Sequence, residues 1–401
     1  MNRRAAITGM GVVSSLGSGL GEFWQGLIEG RSGIGPIDRF DPDGLRNTNA
    51  GQVRDFEFEP PAFGMTTPPD LATQFLLTAA REALHRAMIV PANERDPGFG
   101  ASYATNFGGA DSWESYVGGL LAGDVRAEAF EEFVFGRAAE HACEAFGIGG
   151  PCALLSVACA SGGAAVGVAL EMIRLGEANV VLAVGYDALA PTPLSGLSVL
   201  RTMTDEMIRP FSADRSGTLF GEGAAALVVE EIDHARERGA RPLAEVLGWA
   251  ENNNAYHLTA PDQGGAGMTR VVRDAVADAG VDAATIDYVN AHGTGTQPHD
   301  PAEVQAVKTV LGERAWEIPM SSIKASIGHM MGGAGVVEAV ATVMAITEGV
   351  VPPTVNYRER DPECDLDHVP NEAREAEVKR AISISAGIGG NNSCIVLGAA
   401  S

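Results

Sequence analysis

The chain is poor in basic side chains: 28 Lys+Arg stand against 52 Asp+Glu among 401 residues, a formal net charge of −24. That imbalance keeps a protein in solution and opposes attraction to nucleic acid or to an anionic membrane. Cysteine is sparse as well. The five present (Cys143, Cys152, Cys159, Cys364 and Cys394) are odd in number and without paired spacing, which leaves no disulfide framework and no zinc or other metal signature. A reducing, cytoplasmic compartment is expected. The opening MNRRAAITGMGVV lacks a long apolar run followed by a cleavage site and reads as part of the fold. Pro151 to Leu170 is uncharged and long enough to cross a bilayer, but it is built of Ala, Gly and Ser where a span needs Leu, Ile and Phe. It is expected to be a buried strand, turn and helix. GMGVVS, Gly9 to Ser14, has Ser14 where a dinucleotide loop needs its third glycine, and no acidic residue closes a second strand about twenty positions on. A structural tight turn is the expectation there.

What the chain does have is 45% hydrophobic residues, 50 glycines, and short β-rich runs alternating with amphipathic stretches. This pattern indicates an α/β protein, large enough for one fold made of two similar halves. Strands are expected at Ala5–Thr8, Leu154–Ala158, Val180–Val184, Ala224–Glu230, Tyr288–Ala291, Ile382–Ser385 and Cys394–Leu397. Helices are expected at Leu71–Met88, Gly162–Leu175, Met268–Ala279, Ala302–Leu311 and Gly333–Glu348. The junction between halves is placed in the loop NNNAYHLTAPDQGGAG, Asn252–Gly267, which divides the chain into residues 1–250 and 251–401.

Three stretches carry chemistry. SVACASGGAAVGVALEMI puts Cys159 between a strand and a helix starting near Gly162, where free N–H groups and the helix dipole favour thiolate and would lower its pKa. The small Ala160, Ser161, Gly162 and Gly163 leave room for a carbonyl, as in a nucleophile elbow, although a buried core cysteine is the commoner fate. NAHGTGTQPHDPAE sets His292 just after a strand, and SSIKASIGHMMGGAGVVEA sets Lys324 and His329 before a second small-residue helix. A thiol, two imidazoles and an amine at strand ends and helix starts suit a thioester site in which the histidines hold a developing enolate oxygen. Asp300-Pro301-Ala302-Glu303 reads as a capping box, with Glu303 also able to pair with Lys324. His299 and His257 are expected to face solvent.

Taken in order, ITGMGVVSSLG, ACASG, RPFSADRSGTLFGEGAAALVVEE, AHGTGT, KASIGHMMGGAG, GVVPPTVNY and GIGGNN resemble an elongating β-ketoacyl synthase of the thiolase-like fold, over nearly the whole chain. The resemblance implies a five-layered αβαβα fold of two duplicated halves, normally dimeric, with the nucleophile in the first half and both histidines in the second. It implies that Cys159 takes the acyl group, that His292 and His329 assist decarboxylation of a malonyl thioester, and that Lys324 supports them and orders the surroundings of His329. Thr294 and Thr296 would bind a pantetheine arm, and the N–H groups of Cys159 and Ile388 would form an oxyanion hole. The phosphopantetheine would arrive on an acyl carrier protein, with no dissociable cofactor or metal.

Departures from the family pattern point to specialised polyketide or polyene synthesis rather than general fatty-acid elongation. The last loop reads Ala386-Gly387-Ile388-Gly389-Gly390, with Ile388 in place of the usual gating aromatic. Phe107 is placed by spacing at the far end of the acyl pocket. Met65–Gln74, where the family is often basic, carries no basic residue, which leaves Arg201 and Arg209 or a second subunit to dock the acidic carrier. A homodimer, a heterodimer with a chain-length-factor-type subunit, and a fatty-acid enzyme all stay open. A catalytically silent paralogue or a thiolase-type Cys-His-Asn enzyme fits Cys159, His292 and His329 less well.

Overall fold

The computed structural model describes residues 3–61, 68–125 and 127–400. In chain order the first part comprises β1 (Ala5–Val13), α1 (Leu20–Ile28), the two-residue strands β2 (Gly35–Pro36) and β3 (Asn49–Ala50), α2 (Leu71–Arg86), β4 (Phe99–Ala104), α3 (Ala110–Ala122), α4 (Ala127–Phe133), α5 (Arg137–Phe146), β5 (Cys152–Leu155), α6 (Ser161–Leu175), β6 (Val180–Asp187), α7 (Pro191–Val199), β7 (Gly223–Glu231) and α8 (Ile232–Glu237). The remainder comprises β8 (Ala244–Asn253), α9 (Ala266–Asp278), β9 (Tyr288–Asn290), α10 (His299–Leu311), β10 (Met320–Ser321), α11 (Lys324–Ile327), α12 (Ala334–Glu348), β11 (Val350–Val351), β12 (Arg374–Glu375), β13 (Arg380–Ala386) and β14 (Asn391–Ala399).

Ten strands form one sheet in the order β10-β9-β13-β14-β8-β1-β7-β6-β4-β5, in which the antiparallel β1–β8 pair joins two groups of five. Helices α6 and α12 pack on strands of both groups, α2 covers β1, β7 and β6 on one outer side, and α9, with α10 packed beside it, covers β8 and β14 on the other. Counting across gives helix, sheet, helix, sheet, helix. The expected divide after residue 250 lies within β8, the strand through which the second group meets the first.

Small residues make this layering possible. A Cβ on Gly335 of α12 would stand 2.3 Å from the backbone N of Gly163, and one on Gly162 would stand 2.7 Å from the N of Gly335 and of Val336. The backbones of α6 and α12 therefore touch, and their starts come together. Their bland composition is that of a buried helix pair: the membrane-length segments Ala158–Leu175 and Met331–Glu348 are 67% and 83% buried. Gly9 and Gly11 belong to β1 instead of the expected turn. A Cβ there would meet Ala83 O at 2.1 Å and Ala79 O at 2.0 Å, so these glycines admit α2 against the strand.

Two core strands escaped the sequence reading. FGASYA (β4) is fully buried yet rich in Gly and Ala, and AEVLGWAENN (β8) mixes buried with exposed positions, so neither shows strong β propensity or clean alternation. The short α3, α4, α5 and α7, which line or back the site, were not expected either.

Candidate active site

Strand β5 ends at Leu155 and the chain enters α6 through Ala158, whose φ of 54° lies in the left-handed region that non-glycine residues avoid. Ser161 locks this bend: its hydroxyl accepts from Val157 N at 2.8 Å and donates to Ala158 O at 2.6 Å. Cys159 emerges between two cavities. One, of about 690 Å³, runs past Phe107, Trp113, Phe133, Phe135, Leu197 and Phe220; the other, of about 40 Å³, is walled by His292, His329, Thr294, Thr296 and His299. Cys159, Phe220 and Ile388 line both, so Ile388 stands at the passage between them.

The thiol is not activated as its place before a helix suggested. Burial pushes Cys159 up to about 11, although Lys324 and the backbone N–H groups of Ile388 and Cys159 favour the thiolate. Removing the sulfur from water outweighs those attractions. The resting group is a thiol with two N–H groups already aimed at it.

His329 precedes α12, just as Cys159 precedes α6, and the contact of the two helices brings them into one cavity. Met331 N donates to His329 Nδ1 at 3.1 Å, which puts the proton of a neutral ring on Nε2, a buried atom with no partner among the described residues. His292 lies edge-on to it, with ring centroids 5.4 Å apart at 84°. Burial and the Lys324 charge hold both imidazoles well below the usual histidine range, so both are neutral at neutral pH. Lys324 acts on His329 through its charge and makes its hydrogen bonds at His292. Its Nζ donates to His292 O at 2.5 Å, lies 3.4 Å from His292 Nδ1, and pairs with Glu338. His292 Nδ1 thus faces a donor, which leaves Nε2 as its N–H as well.

The expected capping box does not form. Helix α10 starts at His299, and Asp300, one residue inside it, accepts from Phe211 N at 2.7 Å and Gly295 N at 3.1 Å. Glu303 accepts from His292 N at 2.6 Å and Gly293 N at 2.9 Å, and it does not pair with Lys324. Both carboxyls are buried, and a buried carboxyl requires donors; the loop carrying His292 supplies three of them and Phe211 the fourth. Burial raises Asp300 to about 6 and Glu303 to about 8.

Thr294 and Thr296 stand together, hydroxyls 3.1 Å apart, and Thr296 Oγ1 lies 3.1 Å from His299 Nδ1. His299 therefore belongs to the small cavity, contrary to the solvent-facing expectation, and desolvation lowers it to about 4. His257 is exposed as expected. Phe107 lines the larger cavity. Arg209 is buried and bonded to Glu206 at 2.6 Å, with Asp214 at 3.5 Å, so it offers no free charge to a partner, whereas Arg201 is exposed. Of the stretch Met65–Gln74, residues 65–67 lie outside the described residues.

Sequence reasoning missed two organising carboxyls. Asp187, at the end of β6, accepts from Thr105 Oγ1 and from the N–H groups of Asn106, Phe107 and Gly332, tying the loop that lines the larger cavity to the loop after His329. Glu338, on α12, holds Lys324. An aspartate ending a strand and a glutamate inside an apolar helix were the available signals, each a charge in a hydrophobic run. Also missed was the aromatic wall from α3 and α4, where Trp113 and Phe133 lie 4.9 Å apart.

Residues 2–235 match the β-ketoacyl synthase N-terminal domain and residues 243–358 the C-terminal domain, and the chain belongs to the β-ketoacyl synthase family of acyltransferases. It is 36% identical to the 3-oxoacyl-[acyl-carrier-protein] synthase 2 of Coxiella burnetii, over 98% of both chains. The ishigamide ketosynthase/chain length factor superposes with a TM-score of 0.93 at 35% identity over all of both chains. A ketosynthase bound to the hexaketide, in complex with its type II polyketide synthase acyl-carrier protein, superposes at 0.92 with 33% identity, again over all of both chains. The fold is thus that of the thiolase-like ketosynthases.

Proposed function

We propose that this chain catalyses decarboxylative condensation of a Cys159-bound acyl group with a malonyl group carried on an acyl carrier protein. The carrying observation is that Cys159, His292 and His329 line one cavity, with the Nε2–H of His329 unpartnered among the described residues. In the first half-reaction the Cys159 sulfur, losing its proton, attacks the acyl thioester; the new C–S bond forms as the carrier thiol leaves. The N–H groups of Cys159 and Ile388 receive the carbonyl oxygen. In the second, the malonyl C–C bond to the carboxylate breaks, CO₂ leaves, and the thioester oxygen gathers charge in front of the two Nε2–H groups. The enolate carbon then attacks the acyl carbonyl, and the Cys159 sulfur leaves and is reprotonated. Lys324, clamped by Glu338, orients His292 through its carbonyl and Nδ1, and Thr294 and Thr296 hold the pantetheine arm.

This reading needs no dissociable cofactor and no metal, and it places the enzyme in the cytoplasm. Three features favour a specialised polyketide or polyene pathway over general fatty-acid elongation: the aromatic wall of Trp113, Phe133 and Phe135, the ring of Phe107 in the same cavity wall, and Ile388 at the passage. Flat conjugated chains stack on such rings. A carrier protein docks near Arg201, and a second subunit, identical or of the chain-length-factor type, completes the assembly. The nucleophile resides in the first half and both histidines in the second. The test is intact mass after mixing with acyl carrier-protein thioesters: an acyl adduct on wild type and none on Cys159→Ala supports the assignment, and an adduct on both refutes it.

A further inference from the structure

The backbone of His329 is pinned: its N–H donates to Leu219 O at 2.8 Å and its carbonyl accepts from Gly221 N at 2.9 Å. Gly332 is fixed as well. It donates to Asp187 Oδ2 at 2.7 Å, and a Cβ on it would stand 2.7 Å from Asn106 N, so its backbone touches the Thr105–Phe107 loop that the same carboxyl holds. Between these anchors lies Met331, buried and at φ 51°, in the left-handed region where a residue other than glycine is strained. Its N–H donates to His329 Nδ1 at 3.1 Å. Met331 also lines the larger cavity, and it shares a hydrophobic cluster with Phe107, Leu197 and Phe220, which line that cavity too. One residue thus joins the wall of the larger cavity to an imidazole of the smaller one.

We propose that Met331 is a positioning residue that couples the two half-reactions: an acyl chain seated in the larger cavity bears on Met331, whose N–H carries the displacement to His329. The inference rests on the condensation reading above. Closely packed walls transmit displacement instead of absorbing it. With the backbone held at His329 and at Gly332, the part that yields is the Met330–Met331 peptide, bonded once on each side, to His329 Nδ1 and, through Met330 O, to Gly333 N at 2.9 Å. Turning that peptide turns the ring, which otherwise meets the rings of Phe220 and His292. The Nε2–H of His329 has to meet the malonyl thioester oxygen as charge gathers there, and a misplacement of ~1 Å at such a donor is worth up to ~10² in rate. A chain too short to press on Met331 leaves the ring at rest. A chain that fills the cavity brings it to the donor position, so CO₂ is released quickly only when an acyl group of fitting length is ready to receive the carbanion.

Enzyme loaded on Cys159 with an acetyl or an octanoyl group, with its partner subunit if one co-purifies, is mixed with malonyl carrier protein. CO₂ release is timed in a single turnover for wild type, Met331→Ala and Met331→Leu. Both loads cap the thiol alike, so only the chain differs. The expected result is release about fivefold or more faster from the octanoyl enzyme, a ratio that falls toward one in Met331→Ala and is kept in Met331→Leu. A residue that only supported the fold would lower both rates and leave their ratio. NMR of wild type labelled in its histidine rings needs no variant to fold: the His329 signals are expected to differ between the two loads. A wild-type ratio near one, an unchanged ratio in Met331→Ala, or identical His329 signals would overturn the proposal. If no acyl group is found on Cys159, or neither load releases CO₂, the condensation reading itself fails and the coupling with it.

Discussion

Glu303 shows how a single side chain sets the loop that carries His292. Both of its oxygens accept backbone N–H groups, from His292 and Gly293, and a glutamine can offer only one oxygen there, turning an NH₂ against a donor. Glu303→Gln is expected to cost about 1–3 kcal/mol of stability, from a buried unsatisfied donor. More tellingly, it is expected to slow CO₂ release from malonyl carrier protein about tenfold or more while leaving Cys159 acylation near wild type. Stopped-flow acylation and CO₂ release measured separately check this; equal loss in both steps would mean that Glu303 only holds the fold. A second prediction follows from the buried thiol. Alkylation by iodoacetamide, mapped by peptide, is expected to rise with pH for Cys159 towards about 11, but to level off near 7 for Cys152 in the same sample. A plateau near neutrality at Cys159 would show that the helix terminus outweighs desolvation.

At the scale of elements, the contact between α6 and α12 brings the two halves of the chemistry together. Gly335→Ala places a methyl 2.3 Å from the backbone N of Gly163, where no flexible side chain can yield. The expected outcome is a loss of about 1–3 kcal/mol, read as a lowered denaturation midpoint, with condensation falling more than the fold does as Cys159 and His329 separate. Unchanged stability and activity would show that the helices have slack. This contact also marks how far sequence could be read. Cys159, His292, His329 and Lys324 stand in short motifs of small residues, so they could be picked out locally as candidates, and the fold brings them together. Asp187 and Glu338 act on partners brought near only by the fold: Gly332 is 145 positions from Asp187. Desolvation of Cys159 is likewise a property of packing, invisible in the strand–turn–helix pattern that suggested an acidic thiol. For the fold, β6, β7, β13 and β14 announced themselves through Val, Ile and Leu, whereas β4 and the short helices α3, α4 and α7 owe their structure to tertiary burial or to the cavity they enclose.

At the scale of the whole molecule, the described residues leave an edge of the sheet uncovered. Strand β5 is the last of the ten-stranded sheet, and Leu154 of β5, Leu121 of α3 and Val199 of α7 are 37%, 86% and 79% exposed. A free strand edge, with large apolar side chains exposed on it and elsewhere on the surface, seeks a partner. Sedimentation of the purified chain is expected to give at least twice 41.6 kDa, alone or with a paralogous subunit. A stable monomer that condenses at full rate would contradict this.

The central claim is that capture at Cys159 and condensation through the histidine pair occur in one cavity as separable steps. The measurement is a single turnover: enzyme already acylated on Cys159, with its partner subunit if one co-purifies, is mixed with malonyl carrier protein, and adduct loss, CO₂ and product are followed for wild type, His292→Ala and His329→Ala. The account predicts that wild type loses the adduct and forms a β-ketoacyl product longer by two carbons, while both variants keep the acyl group on Cys159 and release little CO₂. Histidine variants that condense as fast as wild type, or that cannot be acylated at all while folded, would contradict it.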